Sequence, residues 1–130
     1  MNKEDYVSYE VANMLEEKGY REPCFATYTP KDKSGNYRLS RHYPYDCYSD
    51  LCKVKQGDGF NEYLAPSLYN AAKWLRKEHD IHIQIDYEDS QLWGFVIYNM
   101  KIDCLEDTCS MYNSYEEALN EGIKEALKLI

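Results

Sequence analysis

The chain lacks a long apolar stretch. No run in its 130 residues approaches the roughly 20 consecutive apolar residues of a membrane span, and the first ten residues are polar where a secretory leader would turn apolar. The expectation is a cytoplasmic protein with no membrane partner. An excess of positive charge is equally absent: 15 Lys and Arg stand against 23 Asp and Glu, a formal charge of -8. That excludes a protein whose whole surface grips nucleic acid, because phosphate binding needs surplus cations. It suits solubility, a basic protein partner, or a surface that imitates the charge of DNA. No low-complexity segment or linker interrupts the chain, so residues 1–130 read as a single domain with enough chain for its own core.

Catalytic signatures are missing as well. There is no G-x-S-x-G, no H-E-x-x-H and no glycine-rich phosphate loop; Gly57-Asp58-Gly59 lacks the strand–loop–helix setting and marks a turn. No cofactor is implied.

What the chain does hold is strongly patterned. In residues 64–100, Leu64, Leu68, Ala71, Ala72 and Leu75 fall on one helical face, with Pro66 in the first turn. After His79-Asp80 the period changes. Ile81, Ile83, Ile85 and Tyr87 alternate with His82, Gln84 and Asp86, which predicts a half-buried strand. Residues 88–91 are polar and predict a hairpin turn. Residues 92–100 are apolar on both sides (Trp93, Phe95 and Ile97 against Val96, Tyr98 and Met100), which predicts an inner strand covered on both faces.

On the N-terminal side, residues 1–6 are expected to fray. Ser8 is placed to cap a helix from Tyr9 to about Lys18, ended by Gly19. Residues 24–29 and 37–41 read as strands joined by a turn-rich loop, and residues 43–60 as an irregular loop. Residues 101–113 are a polar, acidic connection. Ser114 and Glu117 then form a capping box, opening a helix whose stripe is Tyr115, Ala118, Leu119, Gly122, Ile123, Ala126, Leu127 and Ile130. A glycine inside a helix costs about 1 kcal/mol relative to Ala, so Gly122 predicts close packing of helix on sheet. The expected fold is α+β in the order α-β-β-(loop)-α-β-β-α, an antiparallel sheet of about four strands with helices mainly on one face.

Three groups of residues are candidates for chemistry. Cys47-x4-Cys52 and Cys104-x4-Cys109 have equal spacing, so four thiolates can be imagined around zinc, or each pair as a disulfide; the alternative is unrelated, semi-buried thiols. His79 and His82, with His42, are candidates for a metal or acid–base site. Charge is also uneven. Residues 31–55 hold Lys31, Lys33, Arg38, Arg41, Lys53 and Lys55 against three Asp, interleaved with Tyr37, Tyr43, Tyr45 and Tyr48, a mixture suited to single-stranded nucleic acid. Residues 103–125 hold seven acids against Lys124, an acidic surface for a basic partner.

The run from Tyr63-Leu-Ala-Pro-Ser-Leu-Tyr to Trp74-Leu-Arg-Lys-Glu-His-Asp-Ile-His-Ile, with Trp93-x-Phe and Ser114-Tyr-Glu-Glu-Ala-Leu-Asn-Glu-Gly-Ile-Lys-Glu-Ala-Leu, resembles a group of small uncharacterised bacterial proteins associated with phage and mobile-element regions. The resemblance covers the second half of the chain and implies a phage-linked interaction role, with no activity. The closing strand–loop–helix with Tyr115-Glu-Glu-Ala-Leu is similar to the end of HicB-type antitoxin domains.

These features point to a binding protein acting through protein contacts, with Tyr43, Tyr45 and Tyr48 and the acidic set around Glu106 and Glu116 as contact residues. The alternatives are a nucleic-acid-associated, antitoxin-like regulator using residues 31–55 and a metal-dependent enzyme using His79, His82 and the cysteines. Homo-oligomerisation is compatible with each.

Overall fold

A computed structural model describes residues 2–22, 24–41 and 62–130, with Asp107 and Thr108 described by backbone alone. The fold is α+β, and the chain divides into two compact units, Met1–Ser67 and Leu68–Ile130.

In the first unit the N-terminus is ordered where its polar sequence predicts fraying. A short 3-10 helix, Lys3–Asp5, is closed by the Asp5 carboxylate accepting from the Asn2 N–H at 2.8 Å, and Tyr6 bridges to Ser67. Helix α1, Tyr9–Glu17, begins as its sequence predicts: the Ser8 hydroxyl accepts from the Val11 N–H at 3.3 Å. Gly19 ends the turn at φ +87°, a left-handed conformation that glycine adopts without strain. Strands β1 (Ala26–Tyr28), β2 (Leu39–Arg41) and β3 (Tyr63–Leu64) form an antiparallel sheet in the order β2-β1-β3. Val7, Val11, Leu15, Tyr20, Ala26, Tyr28 and Leu64 make its core.

In the second unit, α2 (Leu68–His79) is followed by β4 (Ile81–Tyr87), β5 (Trp93–Asn99), β6 (Cys104–Tyr112) and α3 (Tyr115–Leu127). The three strands form an antiparallel meander in the order β4-β5-β6. Asp80, between α2 and β4, has φ +55°, which lets the chain reverse in one residue. Cross-strand partners lie on the same side of a sheet, so the register places Ile81, Ile83 and Ile85 with Phe95 and Ile97 on one face. Helix α3 packs on all three strands, and α2 packs on β4 and α3.

Four further expectations are corrected. Among the described residues the strands form two sheets of three, not a single sheet of about four. The helix expected from Leu64 starts at Leu68; Leu64 belongs to β3, where pairing with Thr27 of β1 overrides the helical spacing. Residues 101–113, expected as a connection, contain the nine-residue β6, the longest strand described. Two register shifts in β6, with Glu106 and Met111 as the extra residues, break the two-residue alternation that would have revealed it. Finally, Ser114 caps α3 by accepting from the Glu117 N–H at 3.0 Å, but the Glu117 carboxylate reaches Asn113 (3.3 Å), one residue beyond the capping-box position.

The two buried glycines of this unit mark close approaches. A Cβ on Gly122 would lie 2.9 Å from Ile83 Cγ2 and 3.3 Å from Phe95 Cβ. A Cβ on Gly94 would lie 2.6 Å from the Cys109 carbonyl oxygen and 2.9 Å from Ser110 Cα. At Gly122 the gain in helix propensity from Ala, about 1 kcal/mol, opposes overpacking of about 1–3 kcal/mol against a stiff β-branched side chain. At Gly94 the obstacle is backbone. Gly122→Ala is therefore predicted to lower Tm by a few degrees and Gly94→Ala by more, read by thermal denaturation; a Gly94→Ala protein as stable as wild type contradicts the packing described.

Candidate functional site

Within the second unit both helices lie on one face of the sheet, and the other face carries its own residues. The register aligns His82 with Tyr98, Gln84 with Val96, and Asp86 with Gly94 on that face; β6 adds Leu105 opposite Tyr98 and Ser110 opposite Gly94. His82 and Tyr98 stack at 6.4 Å with an interplanar angle of 19°. Val96 and Tyr98 are half-buried, and Leu105 is 53% exposed. The β5–β6 turn extends this apolar character: Met100 is 43% and Ile102 66% exposed. Among the described residues the helices of this unit cover one face of β5. Isolated exposed apolar residues are ordinary, but Tyr98, Met100, Ile102 and Leu105 gather at one end of one sheet.

Acidic residues border this end. Asp103 and Glu106 are exposed, with Glu106 at the bulge of β6. The second unit as a whole carries six Lys and Arg against twelve Asp and Glu, so most of the net charge of -8 belongs to it. On the helix-covered face, burial first, then the neighbouring Cys109 and the carboxylates of Glu121 and Glu125, push the Tyr112 hydroxyl up and keep it protonated.

The structure places the other candidates as follows. Glu106 and Glu116 are not brought together: Glu106 lies beside the Ile97 and Tyr98 end of β5, whereas α3 starts at the opposite end, where the Tyr115 ring meets Trp93 at 5.7 Å. Cys104 and Cys109 stand opposite Asn99 and Phe95. Four residues of strand separate them by about 13 Å, too far for a disulfide or a shared tetrahedral ion. His79 packs its ring against Trp74 at 4.8 Å, at the end of α2, whereas His82 faces Tyr98. Among the described residues no group of three His, Cys, Asp or Glu is gathered as metal ligands would be. Tyr43, Tyr45, Tyr48, Cys47, Cys52 and His42 lie outside the described residues.

In the first unit the structure assembles a cluster that spacing along the chain does not reveal. The Tyr9 ring stacks on Tyr37 at 4.4 Å and meets Tyr28 and Tyr63 edge-on at 5.7 and 5.8 Å. Tyr28 is buried and its hydroxyl donates to the Val7 carbonyl at 2.7 Å. Burial, with Tyr37 adding a smaller effect, pushes the Tyr28 hydroxyl up to about 12.

No family model matches the chain, and no curated protein or solved structure matches it significantly. Among the described residues no helix is long and apolar enough to cross a membrane.

An unfolded tyrosine ionises near pH 10 and folded Tyr28 only near 12, so the folded state holds the proton more tightly in between. The stability this contributes is complete below pH 10 and is lost as pH rises through 12. Tyr28→Phe is predicted to be about 1 kcal/mol less stable at neutral pH, through the unpaired Val7 carbonyl. Denaturant titrations should show that deficit shrinking between pH 10 and 12; a constant deficit contradicts the assignment.

Proposed function

We propose that the protein is a small binding module that recognises another protein through the face of the β4-β5-β6 sheet away from its helices. The observation that carries this reading is the gathering of Tyr98, Met100, Ile102 and Leu105 at the β5–β6 end, bordered by Asp103 and Glu106. Aromatic and apolar side chains inside a charged border are the ordinary composition of an interface, with the apolar centre holding the complex and the border steering it. The partner that fits is a protein with an apolar centre and Lys or Arg around it.

Tagged full-length protein and an Ile102→Glu, Leu105→Glu variant should be compared in capture from a cell lysate, after matching their melting temperatures. Both substitutions are at exposed positions, so changes in stability of only about 0.5 kcal/mol are expected. The expected result is a protein retained by the wild type, lost with the variant and released by salt. Capture of nothing reproducible, or an identical set with the variant, overturns the reading.

A further inference from the structure

The β1–β2 hairpin carries a second surface of opposite character. Residues 29–41 contain Lys31, Lys33, Arg38 and Arg41 against one acid, Asp32. That acid is turned onto the loop itself: its carboxylate accepts from the Ser34 and Asn36 N–H groups, both at 2.9 Å, while the Gly35 N–H donates to the Asp32 carbonyl at 3.0 Å. Arg38 is tied to the other limb, its N–H donating to the Thr29 hydroxyl at 2.8 Å. The loop is thus internally braced, and none of its four cations forms an ion pair with another described residue.

An aromatic platform lies against these cations. Tyr37 is 43% exposed and stacks on Tyr9, whose hydroxyl accepts from the Lys31 N–H at 3.2 Å. The Lys31 ammonium lies 5.2 Å from the centre of the Tyr9 ring and 5.8 Å from that of Tyr37. Arg41 lies 5.9 Å over Tyr6. A supported, partly exposed ring with cations around it offers the two elements that single-stranded nucleic acid uses: a face for an unpaired base and positive charge for its phosphates. A duplex buries its base faces and can use only the cations. The carboxylates of an acidic peptide match the cations but are repelled by the negative face of the ring.

We propose that this hairpin is a contact site for single-stranded nucleic acid, with Tyr37 stacking on a base and Lys31, Lys33 and Arg38 meeting phosphates. The overall charge of -8 is an average over the chain, whereas residues 29–41 carry four cations against one acid.

The test is fluorescence anisotropy of a labelled oligothymidylate with the full-length protein across a salt series. Binding is expected at low salt, with the logarithm of the affinity falling by about 0.7 per phosphate contact against the logarithm of salt. Tyr37→Ala should weaken binding on the order of tenfold, with Tyr37→Trp retaining it and excluding a folding defect. Lys33→Ala with Arg38→Ala, at exposed loop positions, should flatten the salt slope by about 0.7 for each cation removed. Absence of binding at low salt, a duplex of the same length binding as tightly, or a folded Tyr37→Ala protein binding like wild type would each overturn the proposal.

Discussion

Gly122 sets how closely helix α3 can approach its sheet. Ala118, Gly122 and Ala126 follow one another at four-residue steps and are all buried, so α3 presents almost no side chain along that line. Ile83 and Phe95 fill the space from the sheet side, the former within 3 Å of where a Cβ would stand. Close packing of this kind fixes which sheet face is the inner one. Ile81, Ile83, Phe95 and Ile97 are committed to it, and by the alternation of a strand His82, Val96 and Tyr98 must then point the other way. The character of the far face is therefore a consequence of the helix contact.

The bulges in β6 work on the same constraint. A strand of nine residues with unbroken alternation would place Leu105, Asp107, Cys109 and Met111 on one side. The extra residues Glu106 and Met111 reset the phase, so that Cys109 and Tyr112 both face the helix side while Leu105 aligns with Tyr98 on the other. Edge strands are prone to unwanted pairing, and bulges and charges are among the ways proteins limit it. Among the described residues β6 is an edge strand, and its bulge at Glu106 brings Leu105 beside Tyr98.

Local features were the legible ones. The Ser8 and Ser114 caps, Gly19, the change of period at Asp80 and the limits of β4 all depend on residues a few positions apart, and each stands in the structure. Features created by pairing were not legible. Strand β3 is two residues long and exists through its bonds to β1; β6 is hidden by its two phase changes. The candidate sites divide in the same way. The cationic hairpin is continuous in sequence and could be seen, whereas its aromatic support comes from Tyr9 in a different element. The apolar group at Tyr98, Met100, Ile102 and Leu105 is hard to see in the sequence because two-sided apolarity ordinarily signals burial on both sides. Glu106 and Glu116 share a charge, but the length of β5 keeps them apart.

A net charge is an average, and binding responds to the local field. At about 0.15 M salt a charge acts strongly over roughly 8 Å, a distance spanned by about two or three residues of a strand. Residues 29–41 carry four cations against one acid, and that acid is already engaged by backbone N–H groups. The reverse holds for the second unit, whose apolar end is bordered by Asp103 and Glu106. A bound partner responds chiefly to the charges within a few ångströms of its own. Composition excluded a protein that is cationic all over; it left each surface to be judged by the groups that stand on it.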